Sequence, residues 1–326
     1  MSRIAYVNGR YLPHRDAKIH VEDRGYQFAD GVYEVIAVKA GRFVDLVPHL
    51  DRLDRSLAEL RIAPAMGRAA LVLAMEETIR RNDVTDGTIY LQMTRGVAPR
   101  DHAFPAAPRT QVVMTAKRTR PHPARFEAEG VKAITVPDIR WERCDIKSVA
   151  LLANVLAKQA AREAGAFEAL FVTPDGQVVE GSSTNAWIVT REGELVTTPR
   201  SNAILAGVTR RTVLELAAQM GLRPAERSFS VAEAKAAREV LLTSTTSFVM
   251  PVTQLDDAVI ANGRPGELGL ALRQRYVAYM ASAEVGGGHP EIGDPDPYIT
   301  SRPRGATVPP HGPVAGPNPS QGRAAR

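Results

Sequence analysis

Apolar residues recur along the chain at two spacings, which predict short strands and amphipathic helices in alternation. Two apolar runs flank Asn8-Gly9, a dipeptide that tolerates positive φ, and so predict a hairpin over 4–12. Leucines at helical spacing predict a helix over 49–60. The other elements predicted in this region are strands over 32–38, 88–94 and 111–116 and a helix over 71–81.

A second region of alternating elements follows residues 119–124, where Pro121 and Pro123 oppose both helix and central strand. Its predicted elements are strands over 131–136 and 239–243, a hairpin over 169–179, and helices over 148–163, 208–220 and 268–283. The apolar side of the helix over 148–163 comprises Val149, Leu151, Leu152, Val155, Leu156 and Ala160. The pattern predicts a two-domain α/β (α+β) protein. Its predicted parts are an N-terminal domain over 1–118, a linker over 119–124 and a C-terminal domain over 125–285.

From residue 286 the composition changes to Pro and Gly with few large apolar residues. Such a segment buries too little surface to offset the entropy lost on ordering, so residues 286–326 are predicted to form a disordered tail. Over the whole chain, 44% hydrophobic and 24% charged residues are typical of a globular protein.

The charge distribution argues against a nucleic-acid-binding protein. The net charge is +5, and the basic residues are scattered rather than clustered in a stripe.

Cys144 is the only cysteine, which excludes an intrachain disulfide and a cysteine metal cluster. No apolar run approaches the roughly 20 residues that cross a bilayer, and Met1–Arg10 lacks the apolar core of a signal peptide. A cytoplasmic protein is therefore expected.

Four polar segments lie beside apolar runs and are the candidates for chemistry. They are Glu22–Glu34, Arg143–Ser148, Glu180–Asn185 and Leu242–Ser247. The chain has no Gly-x-x-x-x-Gly-Lys-Ser/Thr, no Gly-x-Gly-x-x-Gly after a strand and no His-Glu-x-x-His. The commonest nucleotide and zinc sites are therefore not indicated.

The polar segments, their immediate neighbours and the stretch Asp138–Trp141 carry several strings in order along the chain. They include Glu-Asp-Arg-Gly-Tyr-Gln-Phe, Asp-Gly-Val-Tyr-Glu-Val, Asp-Ile-Arg-Trp, Arg-Cys-Asp-Ile-Lys-Ser, Glu-Gly-Ser-Ser and Thr-Ser-Thr-Thr-Ser. With these strings the chain resembles, from about Tyr6 to about Met280, the fold-type IV pyridoxal-phosphate enzymes, and most closely the bacterial D-amino-acid aminotransferases. The resemblance implies pyridoxal 5'-phosphate as cofactor, held between the two domains.

The resemblance assigns Lys147 to the Schiff base with the cofactor. A Schiff base requires an unprotonated amine, which burial favours; without the surrounding string, a solvated surface lysine is the ordinary interpretation. Glu180 is placed against the ring nitrogen, because a carboxylate favours the protonated ring on which the electron sink depends.

The same resemblance implies the other cofactor contacts. Those around the phosphate are Arg52, the backbone amides of Val208 and Thr209, and Thr245. Amides at a helix start bind anions, which suits the predicted helix over 208–220. The contacts around the ring are Leu205 on the face away from the lysine, Arg140 near the ring hydroxyl, and Ser183. From the sequence alone, Arg52 can equally be an exposed helix arginine and Leu205 a core leucine.

Substrate choice is expected to depend on Tyr33, Arg100 and His102. The segment 94–105 resembles the loop that holds the substrate carboxylate in D-amino-acid aminotransferases, and an arginine fork suits a carboxylate. In that family the arginine and histidine reach the site of the partner subunit. The resemblance therefore implies a homodimer.

The implied reaction is transfer of the amino group from D-alanine and other D-amino acids to 2-oxoglutarate, giving pyruvate and D-glutamate. Three enzyme alternatives of the same fold stay open: a branched-chain L-amino-acid aminotransferase, an amine aminotransferase and an aminodeoxychorismate lyase. A cofactor-free binding protein would require loss of Lys147 or Glu180, and the chain has both.

Overall fold

The computed structural model describes residues 3–120 and 122–282. Residues 286–326, for which the composition predicts a disordered tail, lie outside the described residues. None of the helices in the described part of the chain has the length and apolar character needed to cross a membrane.

The first part of the chain forms a six-stranded antiparallel sheet in the order β2-β1-β6-β5-β3-β4. Its strands are β1 (Ile4–Val7), β2 (Arg10–Pro13), β3 (Gly31–Lys39), β4 (Arg42–Phe43), β5 (Gly87–Thr94) and β6 (Gln111–Arg118). The predicted hairpin is confirmed, and its turn has positive φ at Asn8 (50°) and Gly9 (89°).

Two long helices, α2 (Leu46–Glu59) and α3 (Arg68–Arg81), pack on this sheet, and both were predicted. The leucine stripe of α2 is buried at Leu50, Leu53 and Leu57, in one core with the buried residues of β3, β5 and β6. Two short helices precede α2. They are a 3₁₀ helix (His14–Asp16) and α1 (Arg24–Phe28).

The second part forms a nine-stranded mixed sheet in the order β12-β11-β10-β13-β14-β7-β8-β9, with β15 beside β14. Its strands are β7 (Val131–Pro137), β8 (Glu168–Val172), β9 (Val178–Gly181), β10 (Asn185–Val189), β11 (Leu195–Thr197), β12 (Ala225–Glu226), β13 (Glu239–Ser244), β14 (Phe248–Leu255) and β15 (Ala258–Val259). The parallel pairs are β7–β8, β7–β14 and β11–β12. The mixed α/β architecture agrees with the expected fold class.

Five helices lie in the described residues of this second part. They are α4 (Arg125–Ala128), α5 (Leu152–Glu163), α6 (Val208–Gln219), α7 (Val231–Ala236) and α8 (Glu267–Ala281). Helices α6 and α8 share a core with Trp187 and Leu241 of the sheet. Ala37 and Val44 from the first part of the chain join the same core, so the two sheets meet beside α6.

The predicted helix over 148–163 is wrong at its start, because α5 begins only at Leu152. Residues before it are paired with β3 instead: Ser148 forms a bridge with Val32, and the amide of Val149 donates to the carbonyl of Gly31 at 3.0 Å. Backbone pairing to a distant strand thus replaces the first helical turn.

The predicted apolar side of α5 is also not buried in the chain. Leu152, Val155 and Leu156 are 73%, 59% and 55% exposed, whereas Ala157 and Ala161 are buried. The helix therefore packs through its small residues and leaves its large apolar side chains on the surface.

Candidate cofactor and substrate site

A cavity of about 220 Å³ lies where the two sheets meet, and its walls come from both parts of the chain. Ten of the twelve site residues predicted from the sequence line it. They are Tyr33, Arg52, Arg140, Lys147, Glu180, Ser183, Leu205, Val208, Thr209 and Thr245. The other two, Arg100 and His102, are not among the lining residues.

Lys147 enters the cavity from the loop between β7 and α5, and its backbone is held by its neighbours. The carbonyl of Lys147 accepts a hydrogen bond from the amide of Tyr33 at 3.0 Å, and its amide donates to Oγ of Ser56 at 3.3 Å. The Nζ atom lies 4.3 Å from the ring centroid of Tyr33. The lysine amine is therefore directed over an aromatic face.

Glu180, at the end of β9, forms a buried wall of the cavity. Its Oε2 accepts hydrogen bonds from Nδ2 of Asn185 and the amide of Leu205, both at 3.1 Å, and its Oε1 lies 2.5 Å from Nη1 of Arg140. Burial raises the pKa of Glu180 to about 7, against the opposing effects of Arg140, the Leu205 amide and Lys147. A cationic group placed here would stabilise the carboxylate.

Arg140 is held by two carboxylates. Its Nε donates to Asp138 at 2.9 Å, its Nη1 donates to Glu180, and its Nη2 donates to the carbonyl of Ala203 at 2.9 Å. Its guanidinium also lies 4.3 Å from the ring centroid of Phe171. Arg140 therefore sets the position of the Glu180 carboxylate as well as lining the cavity.

Arg52 is buried rather than exposed, at 4%. Its Nε and Nη2 each donate to the carboxylate of Glu34 at 2.8 Å, and Nδ1 of His49 lies 2.7 Å from the same carboxylate. Its Nη1 donates to the carbonyl of Ala206 at 3.1 Å, just before α6. A buried guanidinium is thereby fixed beside the N-terminus of that helix.

The N-terminus of α6 provides backbone donors at the same end of the cavity. Val208 and Thr209 open the helix, and the preceding Gly207 has no capping side chain, so the first amides lack a partner within the helix. A Cβ at Gly207 would lie 2.1 Å from Oδ1 of Asn185, so glycine is required for this approach. Thr245 adds a hydroxyl from the turn between β13 and β14.

Beneath the turn after β9 lies a buried carboxylate that the sequence did not single out. Glu168 accepts hydrogen bonds from Oγ of Ser182 and, at 2.9 Å, from Oγ of Ser183. The Ser183 hydroxyl is therefore committed to Glu168. The neighbouring Thr184 lines the cavity with a buried hydroxyl that has no hydrogen-bond partner among the described residues.

Arg100 and His102 lie on the segment between β5 and β6, against Phe28. The Arg100 guanidinium is 4.7 Å and the His102 ring 5.4 Å from the Phe28 ring centroid. His102 lines a second cavity, together with Trp141 and Ser148. The structure thus does not bring this pair to the Lys147 cavity of the same chain.

The donor set fits pyridoxal 5'-phosphate. One end of the cavity combines a buried guanidinium with the free start of α6, which suits a dianionic phosphate. The cavity wall also carries the buried carboxylate of Glu180, which suits a ring nitrogen, and the amine of Lys147, which suits a Schiff base. The unpaired Thr184 hydroxyl is a further polar atom that a ligand in this cavity could satisfy.

Four residues around the site were missed as functional residues: Glu34, His49, Glu168 and Asn185. Glu34 had a detectable pattern, because it alternates with Val32 and Ile36 on an apolar strand. A charge on a buried strand face requires a buried partner. Asn185 ends the polar segment Glu180–Asn185, whereas His49 and Glu168 have no distinctive local pattern.

The fold and the cavity define a pyridoxal-phosphate enzyme, and comparison with known proteins gives its family. Residues 31–255 match the model of the amino-transferase class IV family, which is more than half of the chain. The chain belongs to this family. Its cofactor is pyridoxal 5'-phosphate, as expected from the sequence.

Individual relatives agree with this assignment. The chain is 43% identical over 261 residues to a D-alanine aminotransferase of Bacillus licheniformis, covering 80% of this chain and 91% of the relative. It superposes on a branched-chain aminotransferase of the thermophilic archaeon Thermoproteus uzoniensis, solved with norvaline (TM-score 0.75, 26% identity, 87% and 97% of the two chains). It also superposes on a 4-amino-4-deoxychorismate lyase of Pseudomonas aeruginosa (TM-score 0.72, 30% identity, 83% and 97%).

Proposed function

We propose that this protein is a D-amino-acid aminotransferase, which transfers the amino group of D-alanine and other D-amino acids to 2-oxoglutarate and yields pyruvate and D-glutamate. The observation that carries the proposal is the cavity in which Lys147, Glu180 and the start of α6 converge. The similarity to a D-alanine aminotransferase over most of both chains supports the choice of substrate.

The lining residues have the chemistry to hold the cofactor. Arg52, the amides of Val208 and Thr209, and Thr245 bind its phosphate in this proposal. Glu180 binds the ring nitrogen, with Arg140 and Ser183 nearby, and Leu205 packs on the ring. When bound, pyridoxal phosphate supplies an electron sink that acidifies the α-carbon of the amino acid.

Lys147 is the proposed acid–base group. Its Nζ lies over the face of Tyr33 and forms no ion pair with a carboxylate of the described residues. In the first half of the reaction it removes the proton from the α-carbon of the amino acid. In the second half it delivers a proton to the α-carbon derived from the 2-oxo acid. Glu180 keeps a proton on the ring nitrogen through the same steps.

We further propose that the active form is a homodimer in which Tyr33 of one chain and Arg100 and His102 of the other bind the substrate carboxylate. Two observations support this. The Arg100 loop does not line the cavity of its own chain, and α5 exposes the apolar side chains of Leu152 and Val155. A second copy of this chain would cover the exposed face of α5.

Two domains, 1–118 and 125–285, are proposed to hold the cofactor between them. Each region contains its own sheet, and Arg52 from the first and Lys147 from the second line one cavity. The linker at 119–124 stays a prediction.

The experiment replaces Lys147 by alanine and uses Lys39→Ala as the matched control, since Lys39 pairs with Asp86 on the surface. Purified enzyme is incubated with D-alanine or L-alanine and 2-oxoglutarate while pyruvate is measured. We expect activity with D-alanine in the wild type and in Lys39→Ala. In Lys147→Ala we expect loss of activity and of the visible absorbance of the bound cofactor.

Three results would contradict the proposal. An unchanged absorbance in Lys147→Ala would refute the role of the lysine. Preference for L-alanine or branched-chain L-amino acids would assign the chain to the related aminotransferases. Release of pyruvate from aminodeoxychorismate without an amino acceptor would assign it to the lyases.

A further inference from the structure

Arg24 is a buried arginine at the start of α1, 3% exposed, whose side chain is directed at the loop that carries Arg100 and His102. Its Nη1 donates to the carbonyls of Asp101 at 2.5 Å and Ala103 at 3.2 Å, and its Nη2 donates to the carbonyl of His102 at 3.3 Å. One guanidinium thus holds three successive carbonyl oxygens.

The guanidinium of Arg24 is itself held by Asp30. Nε of Arg24 donates to Oδ2 of Asp30 at 2.8 Å, and Arg95 donates to both carboxylate oxygens of Asp30 at 2.7 and 2.9 Å. Burial opposes ionisation of Asp30, but Arg95 and Arg24 keep its pKa below the usual value. The carboxylate therefore stays charged at neutral pH, and Arg24 stays oriented.

Phe28, one helical turn after Arg24, supports the side chains of the same loop. The guanidinium of Arg24 lies 4.9 Å from the Phe28 ring centroid and that of Arg100 lies 4.7 Å from it. The His102 ring is 5.4 Å away. Cations over an aromatic face are stabilised by the ring quadrupole. Phe28 therefore packs against both side chains that are proposed to bind the substrate carboxylate.

The segment that presents these two residues is anchored to the sheet. Asp23 caps α1 by accepting from the amide of Gly25 at 2.8 Å, and it accepts from Oγ1 of Thr94 at 2.9 Å. A Cβ at Gly25 would lie 2.2 Å from Cγ2 of Thr94, so the contact needs glycine. Arg24 and Phe28 thus extend from a rigid base.

The loop has little backbone pairing of its own beyond the bridge between Val97 and Asp23. Residues 95–110 connect β5 to β6 without forming a helix or a strand. Fixing such a segment costs backbone entropy, which hydrogen bonds to its carbonyls offset. An arginine offers five N–H donors in a planar fork, whereas a lysine offers one mobile ammonium.

We propose that Arg24 and Phe28 are positioning residues that hold the Arg100–His102 loop and thereby set the affinity for the carboxylate of the amino-acid and 2-oxo-acid substrates. The proposal rests on the proposed function, since that function assigns carboxylate binding to Arg100 and His102. Neither Arg24 nor Phe28 lines the Lys147 cavity, so in this proposal they act through the loop.

The variants Arg24→Lys and Phe28→Leu test the proposal in the holoenzyme. Arg68→Lys is the matched control, because Arg68 also pairs with carboxylates, but these are Asp51 and Asp54 of α2 and not groups of the loop. We expect KM for D-alanine and for 2-oxoglutarate to rise by about tenfold or more in both variants, since small misplacements of binding groups reduce catalysis strongly. We expect kcat to change by less than about threefold and cofactor absorbance to stay the same.

Hydrogen–deuterium exchange of the amides at 100–104 gives a second readout that does not depend on activity. Faster exchange in Arg24→Lys than in wild type and Arg68→Lys supports the positioning role. Equal exchange together with unchanged KM overturns it. A fall of kcat, cofactor content and melting temperature in parallel also overturns it, because that pattern indicates a general structural role.

Failure of the proposed function is recognisable separately. A wild-type enzyme that does not transaminate D-alanine refutes that function, and the exchange measurement still decides whether Arg24 orders the loop.

Discussion

Replacing Glu34 by glutamine tests how the proposed phosphate end of the site is held. Glu34 is 1% exposed and receives Nε and Nη2 of Arg52 at 2.8 Å each, with Nδ1 of His49 at 2.7 Å. Burial alone would raise its pKa, but Arg52 and His49 together lower it from 4.5 to about 2.

The size of the effect follows from the two pKa values. The folded and unfolded pKa values of Glu34 differ by about 2.5, and this difference corresponds to roughly 3 kcal/mol of folding free energy, because one pKa unit equals about 1.4 kcal/mol. Since folding lowers the pKa, this contribution is present above pH 4.5 and is lost as the pH falls through about 2. At neutral pH, Glu34→Gln removes it and leaves Arg52 buried without its counter-charge. We expect the free energy of unfolding to fall by about 3 kcal/mol.

Urea unfolding followed by circular dichroism at pH 7 measures the loss, and absorbance titration measures the affinity for pyridoxal phosphate. We expect at least about tenfold weaker binding, because Arg52 loses the partner that orients its fork. Asp54→Asn is the control, since Asp54 lies on the same helix with a side chain 43% exposed and should contribute under about 1 kcal/mol. Unchanged stability and unchanged affinity in Glu34→Gln would refute the reasoning.

Two further predictions concern Glu180 and α5. Burial raises the pKa of Glu180 from 4.5 to about 7. Between pH 4.5 and pH 7 the folded protein therefore binds a proton at Glu180 that the unfolded chain does not. The free energy of unfolding of the cofactor-free protein should therefore fall by roughly 3 kcal/mol from pH 4.5 to 7, and Glu180→Gln should flatten that part of the urea-unfolding profile; an unaltered slope would contradict the assignment. If the proposed homodimer forms through this face, Val155→Asp should convert it to monomers with loss of activity in light-scattering and pyruvate assays, because it places a charge on the exposed apolar face of α5. A variant that keeps the dimer mass would show that this face is not the interface.

Three separate buried carboxylate groups lie around the cavity. Glu34 fixes Arg52 at the proposed phosphate end, Arg140 fixes Glu180 at the proposed ring end, and Glu168 fixes the serine turn after β9. In a low-dielectric cavity such pairs keep the binding groups oriented before the ligand arrives. Removing one partner therefore disturbs cofactor binding as well as stability.

The sequence by itself determined the elements with strong local patterns. The Asn8-Gly9 hairpin needs only positive φ at two adjacent residues, and α2 needs only its leucine stripe. The motif strings around Lys147 and Glu180 likewise indicated the family and ten residues that line one cavity. These features depend on residues close together in the chain, or on strings that a family shares.

Only the tertiary structure decided the rest. The first turn of the predicted helix over 148–163 is replaced by pairing with β3, which lies more than a hundred residues earlier. Arg52 is buried because Glu34, on another element, supplies its counter-charge, and the large side chains of α5 remain exposed. The spacing of apolar residues along the sequence predicts which side chains share a face of a helix or strand. It does not show which distant backbone or charge that face contacts, and those contacts decide burial and pairing in this protein.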